Sequence, residues 1–87
     1  MKEIIYSDRA QKFLTKIDRE DSKRIRSKIK QYAANPEKLK NKVTKLVGFP
    51  LYRLRVGDYR VIFSETGEVI LIEKIDNRRD VYKGDLI

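Results

Sequence analysis

The sequence predicts an α+β domain in which a helical hairpin packs on one face of a small, mostly antiparallel sheet, in the order β-α-α-β-β-β. Three observations predict this architecture. Two segments near the N-terminus have helical periodicity, residues 51–63 alternate like a β-hairpin, and residues 69–72 form an unbroken aliphatic run. The 87 residues are expected to form one small domain, residues 1–87, with room for a single functional site.

The first elements are a short strand and a helix. Residues 2–6 contain three consecutive β-forming side chains, and Ser7 and Asp8 are typical of a helix N-terminus. The apolar residues of this helix recur at i, i+3, i+4 and i+7, and they are Ala10, Phe13, Leu14 and Ile17. That spacing predicts one apolar stripe.

A second helix begins near Asp18 or Asp21, either of which can cap it, and ends at Asn35-Pro36. Its predicted buried face comprises Ile25, Ile29, Tyr32 and Ala33. Its outer face is basic and carries Lys23, Arg24, Arg26, Lys28 and Lys30. Three roles fit such a face: solvated surface, nucleic-acid contact, or docking of an acidic partner.

Residues 37–50 have a weaker pattern and are interpreted as a connector packed by its aliphatic side chains. Four lysines in it can meet phosphates as point charges, and they are Lys38, Lys40, Lys42 and Lys45. Because the connector leads directly into the hairpin, we expect one continuous basic surface. An ordinary solvated loop is the alternative.

The hairpin is the most informative stretch. A loop at Gly57-Asp58 places six side chains on the core side: Tyr52, Leu54, Val56, Tyr59, Val61 and Phe63. The opposite side carries Arg53, Arg55 and Arg60 beside Ile62. Like charges across a sheet repel, so a bound anion is the simplest reason for gathering three guanidiniums there. The alternative is that they are solvated or paired with acids such as Glu73.

The end of the chain is predicted to hold the last strand and a polar turn. Residues 64–67 form a turn into a strand at 68–75, which is expected to be buried on both faces in the sheet interior. From Asp76 onward the chain is interpreted as a polar turn that ends near Tyr82.

Composition restricts the chemistry. There are 21 Lys and Arg against 13 Asp and Glu, with a net charge of +8 and a pI near 9.8, which indicates a polyanionic partner, either nucleic acid or an acidic protein. The chain has no Cys and no His, which excludes disulfides, thiolate nucleophiles, the usual zinc sites and imidazole chemistry. We expect no metal and no cofactor. Without a signal-peptide pattern or an apolar run of about 18 residues, a cytoplasmic protein with no membrane partner is expected.

The sequence resembles a known family in the run YRLRVGDYRVIF and in the closing NRRDVY. Together with the βαα order and the chain length, these motifs resemble the RelE/ParE superfamily of toxins from type II toxin–antitoxin systems. The resemblance implies a RelE-like fold. In the RelE branch it implies a metal-independent endoribonuclease that enters the ribosomal A site and inhibits translation by cutting messenger RNA. Attack by the 2′-hydroxyl leaves a 2′,3′-cyclic phosphate.

The resemblance also implies roles for individual residues. Arg60 matches the arginine that stabilises the charged phosphorane, Arg78 the arginine that assists the leaving oxygen, and Tyr82 the tyrosine that stacks on a base. Arg53 and Arg55 occupy two basic positions on the preceding strand. Fixed donors aimed at a phosphorane supply electrostatic catalysis, and the planar fork of arginine suits two phosphate oxygens.

Two departures from the family pattern affect the acid–base chemistry. Asn77 stands where some members have a histidine, and Arg53 and Arg55 stand where others have lysines. Arginine does not lose its proton in practice, so the general base stays open between Lys74, a lysine of residues 38–45, Glu73 and a ribosomal group. Lys74 joins the connector lysines as a candidate RNA contact.

Two other functions compete with the nuclease. A ParE-like toxin of the same fold blocks DNA gyrase, and a non-catalytic basic binding module needs no reaction at all. The joint presence of Arg60, Arg78 and Tyr82 favours the nuclease. The resemblance further implies a small acidic antitoxin as cognate partner, through which the pair would bind its operator DNA indirectly.

Overall fold

The computed structural model describes residues 1–77, so Arg78 and Tyr82 lie outside the described residues. The elements are β1 (Glu3–Tyr6), α1 (Asp8–Lys16), α2 (Arg19–Ala34), a 3-10 helix (Pro36–Lys42), β2 (Val43–Lys45), β3 (Tyr52–Val56), β4 (Tyr59–Glu65) and β5 (Val69–Asn77). The strands form one sheet in the order β1-β5-β4-β3-β2. Only the β1–β5 pair within this sheet is parallel. The predicted fold class, an α+β domain with a helical hairpin and a mostly antiparallel sheet, is confirmed.

The connector contains more structure than the sequence predicts. Its first half is the 3-10 helix, which starts at Pro36, and its second half includes β2, which adds to the edge of the sheet beside β3. The sequence pattern does not reveal β2 because a strand of three residues is too short to show an alternating pattern of its own.

The last strand is longer than predicted. β5 continues to Asn77, so Asp76 is a strand residue and the interpretation of Asp76 as the start of a polar turn is wrong. The register between β4 and β5 shifts at Ile62/Phe63, which leaves an extra residue on β5. After this bulge Asp76 lies directly opposite Arg60.

The two helices follow the sequence prediction closely. Ser7 caps α1, because its hydroxyl accepts a hydrogen bond from the backbone N–H of Ala10 at 3.1 Å. Asp18 occupies the N-cap position of α2 without a side-chain hydrogen bond, while Asp21 in the first turn complements the helix dipole. The predicted buried face of α2 is confirmed in full: Ile25, Ile29, Tyr32 and Ala33.

The β3–β4 hairpin has the register predicted from its loop. Gly57 adopts a φ of 58°. Within residues 1–77 positive φ values occur only at glycines, so Asp58 has a negative φ. A turn with only its first central residue at positive φ is of type II′, which matches the right-handed twist of the flanking strands. The alternation therefore places the predicted hairpin side chains toward the core, with Tyr52 only partly buried.

The core lies between the helical hairpin and one face of the sheet. Phe63 is 1% exposed and packs between two aromatic rings, with centroids 5.2 Å away at Tyr32 and 5.6 Å away at Tyr52. The Tyr32 hydroxyl donates to the Glu65 carboxylate, which also pairs with Lys2. In the described part of the chain no helix has the length and hydropathy of a transmembrane segment.

Candidate functional site

The candidate site is the sheet face opposite the helices, here called the arginine face. It is formed by side chains of β3, β4 and β5, and these are Arg53, Arg55, Arg60, Ile62, Lys74 and Asp76. Strand pairing arranges them in two rows across the sheet. One row runs Arg55, Arg60, Asp76, and the other runs Arg53, Ile62, Lys74.

Two of the predicted arginines are not neutralised by a carboxylate of the described chain. Arg55 is exposed and Arg53 is half-buried, and within residues 1–77 neither forms an ion pair. Arg55 lies directly opposite Arg60 in the β3–β4 register. Like charges at such a pair are destabilising, and no feature of the core requires them there.

Arg60 differs because it is ion-paired within the domain. Its Nε donates to Oδ1 of Asp76 at 3.2 Å, and the two side chains are 21% and 15% exposed. Pairing with an acid such as Glu73 was the alternative expected from the sequence, but the acid is Asp76. The Glu73 backbone carbonyl instead accepts hydrogen bonds from Ser7 and Arg9 at the start of α1.

Asp76 also reaches Lys74, two positions earlier on the same strand. Lys74 Nζ lies 3.7 Å from Oδ2 of Asp76, so one carboxylate contacts two cations through different oxygens. The sequence contains a signal for this arrangement. The buried isoleucines of β5 are Ile70, Ile72 and Ile75, and the change from a spacing of two to a spacing of three marks the bulge that brings Lys74 and Asp76 to the arginine face.

One of the connector lysines lies on the face of the sheet opposite the arginine face. Lys45 pairs with Tyr52, so it lies on the helix side of the sheet, and Thr44 is the β2 residue opposite Arg53. Lys40 lines a shallow cavity of about 220 Å³ beside Tyr32. Lys38 and Lys42 are exposed on the 3-10 helix. The expected continuous basic surface is therefore wrong for Lys45 and stays a prediction for Lys38, Lys40 and Lys42.

The turn of the hairpin is tied to the start of α2. The Tyr59 hydroxyl donates to Asp21 at 2.8 Å, and this hydrogen bond, together with burial, raises the pKa of Tyr59. Asp21 also pairs with Arg24 at 3.5 Å, and the Arg24 guanidinium lies against Gly57. These contacts fix the strand ends that carry Arg55 and Arg60.

The described residues contain no group of three or more His, Cys, Asp and Glu side chains that could hold a metal ion. The arginine face nevertheless provides four cationic groups, two of which contact the Asp76 carboxylate. Guanidinium groups on rigid strands can bind phosphate oxygens with two parallel hydrogen bonds and can stabilise a developing negative charge.

The chain matches the model of a family described as the ParE toxin of the type II toxin–antitoxin system parDE, over residues 4–82. It belongs to the RelE/ParE superfamily of toxins from type II toxin–antitoxin systems. No curated protein sequence matches this toxin.

Solved structures of the same fold come from archaea and bacteria. The toxin is similar to a chain of the RelB–RelE antitoxin–toxin complex from Methanococcus jannaschii, with a TM-score of 0.75 and 24% identity over 93% of this chain and 98% of the other. For the RelE–RelB complex from Pyrococcus horikoshii the TM-score is 0.72, with 30% identity over 88% and 94%. For the intact RelBE complex from Escherichia coli it is 0.70, with 21% identity over 88% and 96%.

Proposed function

We propose that this toxin is a ribosome-dependent endoribonuclease that cuts messenger RNA and so inhibits translation in the cytoplasm. The observation that carries the proposal is the arginine face, where Arg53, Arg55 and Arg60 project from one rigid hairpin on the side away from the helices. The 30% identity to a chain of the archaeal RelE–RelB complex also supports the RelE branch.

The proposed chemistry is attack of a 2′-hydroxyl on the neighbouring phosphorus: the O2′–P bond forms as a general base takes the hydroxyl proton, and the P–O5′ bond breaks. The products are a 2′,3′-cyclic phosphate and a 5′-hydroxyl. The phosphorane carries extra negative charge, and Arg60 with Arg55 would stabilise it through fixed N–H donors. Arg53 would hold a flanking phosphate, and Lys74 would contact the same phosphate as Arg60. Arg78 is proposed to assist the leaving oxygen and Tyr82 to stack on an unpaired base, as the sequence resemblance implies.

A purified translation system tests this function. Primer extension on ribosome-bound message should show cleavage at defined codon positions with wild-type toxin. Arg55→Ala should reduce that cleavage strongly, whereas Arg19→Ala should leave it unchanged, because Arg19 is exposed on α2 and lies off the arginine face. Equal cleavage by both variants would contradict the assignment of the arginine face.

A small acidic antitoxin is the proposed cognate partner. The similar chains in three solved structures were crystallised as RelB–RelE or RelBE complexes, and the net charge of +8 suits an acidic segment. Operator DNA would be bound through the antitoxin. We expect a short open reading frame for an acidic protein beside the toxin gene, and its co-expression with the toxin should abolish growth arrest and yield a stable complex.

A second candidate, inhibition of DNA gyrase, is favoured by one observation: the matching family model is that of ParE toxins. Gyrase supercoiling assays separate the two functions. Inhibited supercoiling without message cleavage would establish the ParE-like activity. Message cleavage with unaffected supercoiling would establish the nuclease.

A further inference from the structure

We propose that Asp76 is a positioning residue that fixes Arg60 and Lys74 side by side as a clamp for one phosphate. The inference rests on the proposed nuclease function and adds a residue that the sequence motifs do not assign. Asp76 would act through the two cations and would not contact the RNA itself.

The first argument is the geometry at Arg60. The carboxylate engages Nε, the donor nearest the aliphatic stem, at 3.2 Å. A guanidinium has five N–H donors, so four of them on the two terminal nitrogens stay available to a second anion. A contact at Nε therefore holds the plane of the guanidinium without consuming the end-on pair of donors that suits two phosphate oxygens.

The second argument is that both carboxylate oxygens are used. Oδ1 contacts Arg60 and Oδ2 lies 3.7 Å from Nζ of Lys74, while all three side chains are between 15% and 21% exposed. Because these side chains are largely enclosed, solvent disturbs their orientation less than it disturbs the orientation of exposed side chains. The carboxylate also offsets the repulsion between Arg60 and Lys74, which would otherwise separate two cations in neighbouring rows.

The third argument concerns net charge. Of the four cations of the arginine face, Arg60 and Lys74 contact Asp76 while Arg53 and Arg55 lie on β3, so the face keeps an excess of positive charge after the ion pairs are counted. Asp76 therefore does not prevent RNA binding. Its removal should increase the attraction for RNA while it releases the groups that must be aligned in the transition state.

Single-turnover cleavage of ribosome-bound message by Asp76→Asn separates the effect on RNA binding from the effect on transition-state alignment. We expect the rate at saturating toxin to fall at least tenfold, while the toxin concentration that gives half of that rate is unchanged or lower. Asp76→Glu should restore part of the rate, since it keeps the charge. Asp58→Asn is the matched control because Asp58 is exposed in the hairpin turn and its change adds the same unit of charge.

Two results would overturn the inference. An unchanged rate in Asp76→Asn would show that Arg60 needs no positioning. A fall in rate accompanied by an equal rise in the half-saturating concentration would show a general loss of binding or of folding instead.

The wild-type protein gives an independent measurement by NMR of the arginine Nε–H groups, with the Arg60 signal assigned from its loss in Arg60→Lys. We expect the Arg60 proton to exchange with water more slowly than those of Arg53 and Arg55, and to lose this protection in Asp76→Asn. Equal exchange of all three would overturn the inference. If the wild-type toxin cuts no message, the proposed function fails, and the NMR result alone decides whether Asp76 fixes Arg60.

Discussion

The two faces of the sheet are built from alternating residues of the same strands, yet they have opposite chemistry. The face against the helices contains Val56, Val61 and Phe63, each at most 3% exposed. The arginine face carries four cations and one carboxylate around a single buried apolar residue, Ile62. The difference indicates that burial on one face supplies the free energy of folding, and that the charges of the other face are available for binding.

The largest effect is expected on the helix-covered face. Phe63→Ala removes a ring that is 1% exposed and packed between two tyrosine rings, so it should lower the free energy of unfolding by about 3–5 kcal/mol. Urea denaturation measures this change. Val47→Ala is the control, because Val47 is 95% exposed and its truncation should cost no more than about 0.5 kcal/mol. Equal costs would mean that the core is not where the structure places it.

The next effect belongs to the arginine face and should appear in activity. Arg60→Ala should raise the cleavage barrier by about 2–4 kcal/mol, a loss in rate of roughly 30- to 1,000-fold. The free energy of unfolding should fall by only about 1 kcal/mol, because Asp76 keeps its contact with Lys74. Cleavage and urea denaturation on the same preparation separate the two quantities. A stability loss as large as that of Phe63→Ala would remove the distinction between the two faces.

Most of this contrast could be predicted from the sequence. The alternation around Gly57-Asp58 determines which hairpin residues share a face, and the observed register, with Arg55 opposite Arg60, confirms both predicted sets. Helical spacing likewise identifies the buried residues of α2. Both predictions succeed because they depend on local periodicity and on a turn whose geometry the glycine specifies.

The pairing of Arg60 does not follow from regular alternation, and its one sequence signal is the changed spacing of the isoleucines on β5. It depends on the register between β4 and β5, and that register shifts at the bulge near Ile62/Phe63. A shift of one residue moves every later side chain to the other face, so the acid opposite Arg60 is undetermined until the bulge is located. The edge strand β2 was missed for a related reason, since its pairing partner is determined by the tertiary structure. The roles of Arg78 and Tyr82 stay predictions.

The third prediction concerns the hairpin turn at Gly57, which sets the register between β3 and β4. Gly57→Ala should lower the free energy of unfolding by about 1–2 kcal/mol, because alanine at a φ of 58° is strained. A Cβ there would also lie 3.1 Å from the Arg24 guanidinium, a flexible and exposed group that can move aside. Thermal denaturation should therefore give nearly the same loss for Gly48→Ala, which has a φ of 82° and open space.

Gly67→Ala provides the matched control, since Gly67 has no positive φ and a Cβ added there would meet no atom within 4 Å. Its change should be neutral or slightly stabilising. A much larger loss at Gly57 than at Gly48 would show that the Arg24 contact, and with it the attachment of the hairpin turn to α2, is more rigid than its exposure indicates.

The smallest effect concerns the hydrogen bond that joins the hairpin to α2. Tyr59→Phe removes the hydroxyl that donates to Asp21 at 2.8 Å and should lower the free energy of unfolding at pH 7 by about 1 kcal/mol. The hydrogen bond raises the pKa of Tyr59 above its usual value near 10. Below pH 10 both the folded and the unfolded state keep the Tyr59 phenol proton, so the Tyr59–Asp21 hydrogen bond contributes its full stabilisation. As the pH rises further, the unfolded state loses this proton first and the contribution is lost through the folded-state pKa.

Urea denaturation between pH 8 and pH 11 should therefore show a steeper loss of stability in the wild-type protein than in Tyr59→Phe. Tyr52→Phe controls for the removal of one phenol from the unfolded chain, because Tyr52 forms no side-chain hydrogen bond among residues 1–77. Because Tyr52→Phe keeps the Tyr59–Asp21 hydrogen bond, its slope should stay steeper than that of Tyr59→Phe. If Tyr59→Phe and Tyr52→Phe have the same slope, the Tyr59–Asp21 hydrogen bond does not anchor the turn, and Arg55 and Arg60 are held by strand pairing alone.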